Sequence, residues 1–261
     1  MSKISVTILT FNEARRIEAC LESLRDIADE IIVVDSFSTD NTVEICKRHD
    51  CKVTQRELMG FGAQRQYATS LTTHPYVLAI DADEILSPTL RDSLLRLKQK
   101  DFAHRVYSVS RLNFFCGYAV KHCGWYPDIQ IRLFDKRYAN WSFNDMHERV
   151  TFRDNVTPEL LNGELLHYRC DTLSEYSIKQ AKLADVKRNR LVHNREHISC
   201  TRPAYKGFKA FFKTYLGQGG ILDGSVGFTI SRQEYFKEKN AYSCHLYTYP
   251  RPRDISGSRI T

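Results

Sequence analysis

The sequence predicts an α/β protein whose mostly parallel sheet carries helices on both faces. Over the first hundred residues, short apolar strands alternate with segments of helical spacing. The strands are apolar along their whole length, as in parallel sheets that helices cover on both sides. With 261 residues, the chain can form one large domain, or one domain with an appendage.

Strands and helices follow one another regularly in this first part. Strands are predicted at 3–10, 30–35, 51–54 and 76–81. The helices between them are predicted at 13–25, at 38–48 with Ser38 and Thr39 as candidate N-caps, and at 60–71. Ser87 and Pro88 are an N-cap and a first-turn proline, and they predict a fourth helix.

The pattern changes after residue 100. Alternating polar and apolar residues at 105–111 and 128–134, and an extended stretch at 160–168, predict a mixed continuation of the sheet. From residue 174 the sequence is helical and basic. We therefore predict a domain at 1–170 with its acceptor side at about 101–170, a basic amphipathic helical extension at 171–244, and a loosely ordered tail at 245–261.

Composition limits the class of protein. Apolar residues make up 42% of the chain and charged residues 26%, and no apolar run reaches the length of a membrane span. The N-terminus lacks a signal-peptide cleavage site, so we expect a cytoplasmic protein. The eight cysteines form no C-x-x-C pair and are expected to be reduced thiols. Residues 1–100 carry 13 basic and 15 acidic residues, whereas the remainder carries 25 and 16.

Polar residues follow three of the predicted parallel strands. The strand ends read TFNE at 10–13, Asp35-Ser36 and Asp81-Ala82-Asp83. Ligands of open α/β sheets bind beyond these carboxyl ends. The glycine-rich loop of dinucleotide-binding domains and the P-loop are both missing after the first strand, which argues against sites of those two kinds.

Asp81 and Asp83 form a D-x-D pair. On an extended backbone both carboxylates point to one side, and such oxygen ligands suit Mg²⁺ or Mn²⁺ bridged to a diphosphate. The alternative is that Asp83 and Glu84 only belong to a turn before Ser87-Pro88. The pair by itself does not decide between these interpretations.

Four ordered motifs resemble the nucleotide-sugar domain of family 2 glycosyltransferases, which have the GT-A fold. These motifs are TFNE, VVDSFSTDNT, GFGAQRQYA and IDADE. GWYPDIQIRLF, NDMHERV and LDG at 222–224 resemble the branch that adds sugars to lipopolysaccharide core. The resemblance covers about residues 3–240.

The resemblance implies roles for individual residues around the donor. Asp83 would bind the metal, and His167 would be a further metal or phosphate ligand. Arg65 would face the nucleotide, although the family often has Asn where this chain has Gln66. The remaining nucleotide contacts would be Thr10, Phe11, Asn12 and Glu13 at the nucleobase, Asp35 at the base or ribose, and Asp81 on the ribose side.

The implied reaction is an inverting displacement at the anomeric carbon, which needs a general base for the acceptor hydroxyl. Glu148 is the favoured candidate and Asp145 the second, with a structural acid paired with Arg149 as the alternative. Arg132, together with the metal, would stabilise the leaving diphosphate.

The stretch 179–213 contains ten basic and two acidic residues. Phe208, Phe211, Phe212, Tyr215 and Leu216 fall on one helix face, with lysines toward the other. Such a helix suits an anionic membrane surface, and we assign that partner to 179–216. Packing of the apolar face on the core is an equal alternative. Nucleic acid is not expected, because no nucleic-acid-binding motif is present.

The sequence thus predicts a metal-dependent inverting glycosyltransferase with Mg²⁺ or Mn²⁺ as cofactor. It would move a sugar from a nucleotide-diphosphate donor, expected to be a UDP-sugar, to a hydroxyl of a cell-envelope glycan such as lipopolysaccharide core, working in the cytoplasm or peripherally on the inner face of the membrane. Two alternatives remain. A sugar-nucleotide nucleotidyltransferase would need a glycine- and arginine-rich loop that is absent, and a non-enzymatic polyanion or membrane-surface binding protein would use only the basic segment.

Overall fold

The computed structural model describes residues 2–142, 149–152, 156–194, 199 and 201–243. These residues fall into two compact units. The first unit comprises Met1–Leu112 and Pro127–Tyr168, and the second comprises Asn113–Tyr126 and Arg169–Thr261. The predicted domain boundary at residue 170 lies close to the junction at Tyr168, but the second unit also includes the earlier segment 113–126.

The first unit contains the alternating strands and helices of the predicted α/β pattern. Its strands are β1 (Ile4–Thr10), β2 (Glu30–Asp35), β3 (Lys52–Gln55), β4 (Tyr76–Asp81), β5 (Glu84–Leu86), most of β6 (Val106–Phe115), β8 (Asp128–Asp135), β9 (Ala139–Trp141), β10 (Val150–Phe152) and most of β11 (Glu159–Cys170); β7 (Tyr118–Ala119) belongs to the second unit. Its helices are α1 (Ile17–Ser23), α2 (Thr42–Arg48), α3 (Phe61–Ser70) and α4 (Pro88–Lys100).

The main sheet has the order β3-β2-β1-β4-β8-β6-β11-β5, with β7 paired to β6, and β9 and β10 form a separate hairpin. Strands β1 to β4 are parallel to one another. β8 and β6 continue the sheet in antiparallel pairing, and β5 pairs antiparallel with β11. The α/β prediction is confirmed, with the parallel part confined to the first four strands.

Alternate residues of β4 show how the sheet is covered on both faces. Leu78 and Ile80 belong to the large core shared with α1, α2 and α4. Val77 and Ala79 point the other way, into a cluster with Trp141 of the β9–β10 hairpin. This two-sided burial accounts for the continuous apolar run of the strand.

One predicted helix start is confirmed and another is wrong. Ser87 caps α4, and its hydroxyl accepts a hydrogen bond from the backbone N–H of Leu90. Helix α2 begins only at Thr42, because Ser38 and Thr39 are engaged elsewhere. Ser38 donates to Asp35, and the Thr39 N–H donates to the side chain of Asn12, so both residues hold the loop before the helix instead of capping it.

Gly163 lets β11 approach the start of α4 closely. Its φ is +103°, and a Cβ atom at this position would lie 2.2 Å from the backbone nitrogen of Leu90. Only glycine combines this backbone conformation with this contact. The approach fixes the part of β11 that runs on to His167.

The described part of the second unit contains three α-helices. They are α5 (Leu173–His193), α6 (Arg202–Phe212) and α7 (Gly224–Ser243); a π-helical turn, Lys213–Gly217, extends α6, and a 3₁₀ turn, Gly220–Asp223, precedes α7. Phe115 and Cys123 of the early segment share a buried cluster with Tyr176 and Ile230. No helix in the described part of the chain is long and apolar enough to cross a membrane.

Candidate active site at the carboxyl edge of the sheet

Strand register brings the predicted polar residues to one edge. Thr10 lies opposite Asp35 in the β1–β2 pair, and Leu9 lies opposite Asp81 in the β1–β4 pair. The three strands therefore end at the same level, and the segments that follow them face a common space. This is where parallel sheets bind their ligands.

A pocket of about 410 Å³ occupies this space. It combines carboxylates, one arginine and one histidine with apolar groups. The residues that line it are Leu9, Thr10, Phe11, Glu13, Ser36, Leu58, Phe61, Arg65, Asp81, Ala82, Asp83 and His167. The sequence predicts seven of these twelve as site residues, namely Thr10, Phe11, Glu13, Arg65, Asp81, Asp83 and His167. Leu58 and Phe61, both about half exposed, were missed. Leu58 is an isolated apolar residue in a loop, and Phe61 lies in the GFGAQRQYA motif at the start of α3, where only Arg65 was assigned a role.

Asp81, the first of the clustered acids, is neutralised by two arginines. Its Oδ1 accepts a hydrogen bond of 2.6 Å from Arg65, and its Oδ2 accepts one of 3.0 Å from Arg132. Burial alone would raise the pKa of Asp81, but the two guanidinium groups outweigh burial and hold that pKa well below its usual range. Asp81 is therefore an anion whose charge is matched within the protein.

Glu84 lies at the start of β5 and is completely buried. Its Oε1 accepts hydrogen bonds from Arg132 at 2.6 Å and from Arg111 at 3.2 Å, and its Oε2 accepts one from the Asp81 N–H. Burial raises the pKa of Glu84, against the opposing effect of these arginines. Arg111 also pairs with Asp128 at 2.6 Å, so the acids and cations form one network.

Arg132 occupies a different place from the one predicted. Its side chain is only 5% exposed, and it is not one of the residues that line the pocket. Its Nη2 serves both Asp81 and Glu84, and these carboxylates raise its own pKa against the effect of burial. Arg132 is a buried counterion of these two acids, and its predicted stabilisation of a leaving diphosphate stays a prediction.

Asp83 differs from its two acidic neighbours. It follows β4 in a turn and lines the pocket, and its Oδ2 lies 3.3 Å from Nε2 of His167. β11 positions the histidine, since His167 is paired with Glu84 and the Tyr168 N–H donates to the Asp83 carbonyl. The structure thus brings together the two residues predicted as metal ligands, although they are 84 positions apart in the sequence.

This pair fits a hard divalent cation in part. One carboxylate oxygen and one imidazole nitrogen lie within reach of a common point on the pocket wall. Among the described residues, no group of three or more potential ligands gathers around one point. Such an incomplete set suits Mg²⁺ or Mn²⁺, which keep waters and take oxygen ligands from substrate phosphates.

Asp35 organises the loop behind the pocket. It is fully buried and accepts hydrogen bonds from the side chains of Thr10, Ser38 and Gln55 and from the Ser38 N–H. Burial would raise the pKa of Asp35, but these hydrogen bonds lower it. The predicted contact of Asp35 with a base or ribose stays a prediction, since its carboxylate is engaged within the protein.

The four residues of the TFNE segment have different surroundings. Phe11 and Glu13 line the pocket, and Thr10 lines it while donating to Asp35. Asn12 has a φ of +56°, and its side chain accepts a hydrogen bond from the Thr39 N–H. Asn12 therefore fixes the loop geometry that presents its neighbours.

The two candidate general bases, Asp145 and Glu148, lie outside the described residues. Trp141, which precedes this segment in the sequence, is buried, and the Arg65 guanidinium lies 4.8 Å from its ring. The β9–β10 hairpin, which the predicted base segment connects, is therefore in contact with a residue of the pocket wall.

A parallel α/β sheet with a pocket of carboxylates, one arginine and one histidine at its carboxyl edge is the arrangement of a ligand-binding α/β protein. Residues 5–156, more than half of the chain, match the family described as glycosyl transferase family 2. The chain belongs to this glycosyltransferase family. Its α/β architecture is the GT-A fold that the sequence motifs implied.

Similar proteins are found among bacteria. An uncharacterised glycosyltransferase of Rickettsia typhi is 33% identical over 198 residues, covering 70% of this chain and 68% of the relative. The lipopolysaccharide core biosynthesis glycosyltransferase LpsC of Rhizobium meliloti is 26% identical over 236 residues, covering 86% and 85%.

Among solved structures, the chain is similar to glucosyl-3-phosphoglycerate synthase from Mycobacterium tuberculosis in complex with Mn²⁺, UDP and glucosyl-3-phosphoglycerate. The identity is 25% and the TM-score is 0.36, and 43% of this chain is covered. The match spans 44% of that structure's chain, which is less than half of its length.

Proposed function

We propose that the protein is an inverting glycosyltransferase that moves a sugar from a nucleotide-diphosphate donor, UDP-linked, to a hydroxyl of a cell-envelope glycan such as lipopolysaccharide core. The observation that carries this proposal is the Asp83–His167 pair on the wall of the pocket. Asp81 and Glu84 beside it are matched by arginines, whereas Asp83 faces the pocket with a potential ligand nitrogen next to it.

Asp83 and His167 are the residues that would hold Mg²⁺ or Mn²⁺, with the donor diphosphate and waters as the other ligands. The ion would act as a Lewis acid that offsets the charge of the leaving nucleoside diphosphate. Arg65, held by Asp81 at the pocket wall, would contribute a second positive charge to the nucleotide. Asp81 is then the residue that orients Arg65, and its predicted ribose contact is secondary.

The nucleoside would lie in the part of the pocket that is lined by the segment after β1 and by the start of α3. Phe11 and Phe61 offer exposed rings for a flat base, and Glu13 and the backbone of Thr10 offer hydrogen-bonding groups. Asn12 and Asp35 would act mainly through the loop that they hold.

The transfer would be a single displacement. The bond from the anomeric carbon to the acceptor oxygen forms while the bond to the diphosphate oxygen breaks, and the configuration inverts. The acceptor proton would pass to a carboxylate, which we assign to Glu148, with Asp145 as the second candidate. The nucleoside diphosphate leaves with the electron pair of the broken bond.

The acceptor is assigned from the branch motifs and from the similarity to LpsC, which extends over most of both chains. LpsC is a lipopolysaccharide core biosynthesis glycosyltransferase. A lipid-linked acceptor is held at a membrane. The basic segment 179–216 is the part of the chain that we assign to an anionic membrane surface, on the cytoplasmic side of the cell membrane.

Calorimetric titration tests the donor site. We expect UDP to bind the wild-type protein in Mn²⁺ but not in EDTA, and GDP to bind more weakly. Asp83→Ala should abolish the Mn²⁺-dependent part, because it removes a carboxylate ligand without opening the arginine network around Asp81 and Glu84. Glu57→Ala, which removes an exposed acid outside the lining of the pocket, is the matched control.

Two results would contradict the proposal. One is undiminished Mn²⁺-dependent UDP binding by Asp83→Ala, which would exclude Asp83 as a ligand. The other is a folded wild-type protein that binds neither nucleotide under any condition, which would remove the donor site altogether.

A further inference from the structure

Helix α6 and the π turn after it present large apolar side chains to solvent. Tyr205, Phe208, Phe212 and Leu216 are 62%, 54%, 54% and 57% exposed. Their spacing of three, four and four residues places them along one side of the helix. We call these four residues the aromatic ridge.

The opposite side of the same helix is the buried one, and it is made of small residues. Pro203, Gly207 and Thr214 are buried there. A Cβ atom at Gly207 would lie 2.8 Å from a ring carbon of Tyr235 in α7, so glycine permits the close approach of the two helices. An amphipathic helix on a soluble domain normally turns its large apolar residues inward. Here the helix packs through small residues and turns the large ones outward.

The apolar surface continues beyond the ridge within the second unit. Phe211 contacts both Phe212 of the ridge and Phe228 of α7, with ring centroids 5.5 and 5.8 Å apart, and Phe228 is itself 48% exposed. The 3₁₀ turn before α7 adds the exposed side chains of Ile221 and Leu222. Exposed apolar side chains clustered in this way mark interaction sites.

Lysines flank the ridge on one side. Lys206, Lys209 and Lys213 line a cavity of about 450 Å³ together with Trp125 and Gln218. Two acids, Glu234 and Glu238, also line it, but they are paired with Lys237 and Lys187 at 2.5 and 2.6 Å. Within the described residues, Lys209 and Lys213 form no ion pair. The flank therefore offers positive charge to an external anion.

We propose that the aromatic ridge inserts into the interfacial region of an anionic lipid bilayer, while Lys206, Lys209 and Lys213 bind the phosphate groups of the lipid headgroups. Apolar residues at acyl-chain depth beside lysines at headgroup level form the pattern of interfacial helices. A second copy of the chain is a poorer occupant, since a two-fold contact presents the same surface from both copies, and α6 with its π turn carries lysines but no acidic residue to pair with them. The inference rests on the proposed function only in that a lipid-linked acceptor gives the membrane contact its purpose.

Co-sedimentation with vesicles tests this inference on the full-length protein. We expect binding to vesicles of phosphatidylcholine with phosphatidylglycerol, and far weaker binding to phosphatidylcholine alone. Phe208→Ser with Phe212→Ser should lower the apparent affinity about tenfold or more, because two large apolar contacts are lost. Lys209→Gln with Lys213→Gln should lower it by a similar factor and remove most of the salt dependence.

Matched controls separate the ridge from general surface properties. Leu160→Ser changes a side chain of 56% exposure on β11, and Lys47→Gln with Arg48→Gln removes two exposed charges on α2. Both controls should bind vesicles like the wild type. In a Phe212→Trp variant, the added tryptophan fluorescence should be quenched by lipids brominated in the acyl chains. This measurement reports insertion while the ridge keeps an aromatic side chain at position 212.

Three outcomes would overturn the inference. In the first, the ridge variant (Phe208→Ser with Phe212→Ser) binds vesicles as well as the wild type. In the second, the Leu160→Ser control loses as much vesicle binding as the ridge variant. In the third, the wild type is a dimer and the ridge variant is a monomer. UDP binding in Mn²⁺ without vesicles distinguishes the two proposals. Vesicle binding without UDP binding would retain the membrane ridge and reject the donor site, and the reverse result would do the opposite.

Discussion

The guanidinium of Arg132 is shared by two carboxylates that are three positions apart in the sequence. Its Nη2 lies 3.0 Å from Asp81 and 2.6 Å from Glu84, and the side chain is almost fully buried. A buried acid without a counterion is strongly destabilising, whereas an exposed ion pair contributes little. Removal of Arg132 should therefore destabilise the fold mainly because two carboxylates lose their shared counterion.

Arg132→Met should lower the free energy of unfolding by about 3–5 kcal/mol, because Asp81 and Glu84 lose their shared partner in a buried place. Arg25→Met is the matched control. Arg25 pairs with Glu22 at 3.0 Å and both side chains are exposed, so its loss should cost about 0–1 kcal/mol. Urea denaturation of both variants measures the difference, and equal effects would show that burial of the pair does not matter.

The same residues show what the sequence could and could not predict about the site. Thr10, Asp35 and Asp81 could be grouped, because parallel strands of similar length end at one edge. The counterions of the acids could not be found this way. Arg132 lies 51 positions beyond Asp81 on an antiparallel strand, and only the long-range register brings it under the carboxylates. His167 was found through the family resemblance and not through spacing.

At the scale of elements, Glu30 ties several segments to the first residue of β2. Its carboxylate accepts hydrogen bonds from Ser5 of β1, from Lys52 of β3 and from the Thr73 N–H before β4. Burial would raise the pKa of Glu30, but these donors lower it to about 2. One side chain thus anchors the amino ends of the parallel strands, opposite the edge that carries the site.

Glu30→Gln should lower the free energy of unfolding at pH 7 by about 1–3 kcal/mol. Because the folded pKa lies below the ordinary value of 4.5, the stabilisation is complete above pH 4.5 and is lost as the pH falls toward about 2. The difference between wild type and variant should therefore shrink between those values in pH-dependent denaturation curves. Glu22→Gln, which removes an exposed acid on α1, is the control variant.

Helix α6 illustrates the limit of periodicity for whole elements. The spacing of its apolar residues correctly predicted a helix, but it did not predict which side of that helix is covered. Gly207 and Pro203 decide this, because small residues let α7 come close on their side. Core packing of the aromatic face was an equal alternative from sequence, and the exposure of Phe208 and Phe212 argues against it.

At the scale of the whole molecule, the chain crosses between its two compact units more than once. Segment 113–126 belongs to the second unit, and it supplies Phe115, Val120 and Cys123 to the cluster completed by Cys170, Tyr176 and Ile230. From the sequence, the first domain was predicted to run without interruption to residue 170, because the chain becomes helical and basic after it. A segment that returns to another unit leaves no such change.

A chain that ends at Tyr168 should therefore not behave as an intact domain. Phe115 and Val120 would lose their buried partners, and the exposed apolar surface should appear as dye binding and a lower melting temperature than in the full chain. A chain that ends at Ser243 keeps every member of the cluster and is the control. A stable, monomeric 1–168 fragment without dye binding would contradict this prediction.

Because the arginine network neutralises the clustered acids, this part of the fold can form without the proposed ion. Asp81, Glu84 and Asp128 are matched by Arg65, Arg111 and Arg132, all within the polypeptide. Under the proposed metal-dependent function, a newly made chain would complete this part of the fold in a cell that is poor in divalent cations, and a chelator would remove the proposed ion without unfolding the protein. Shortage of the ion would then stop transfer while the amount of protein stayed constant. Renewed supply would restore it at the speed of diffusion, with no need for new synthesis.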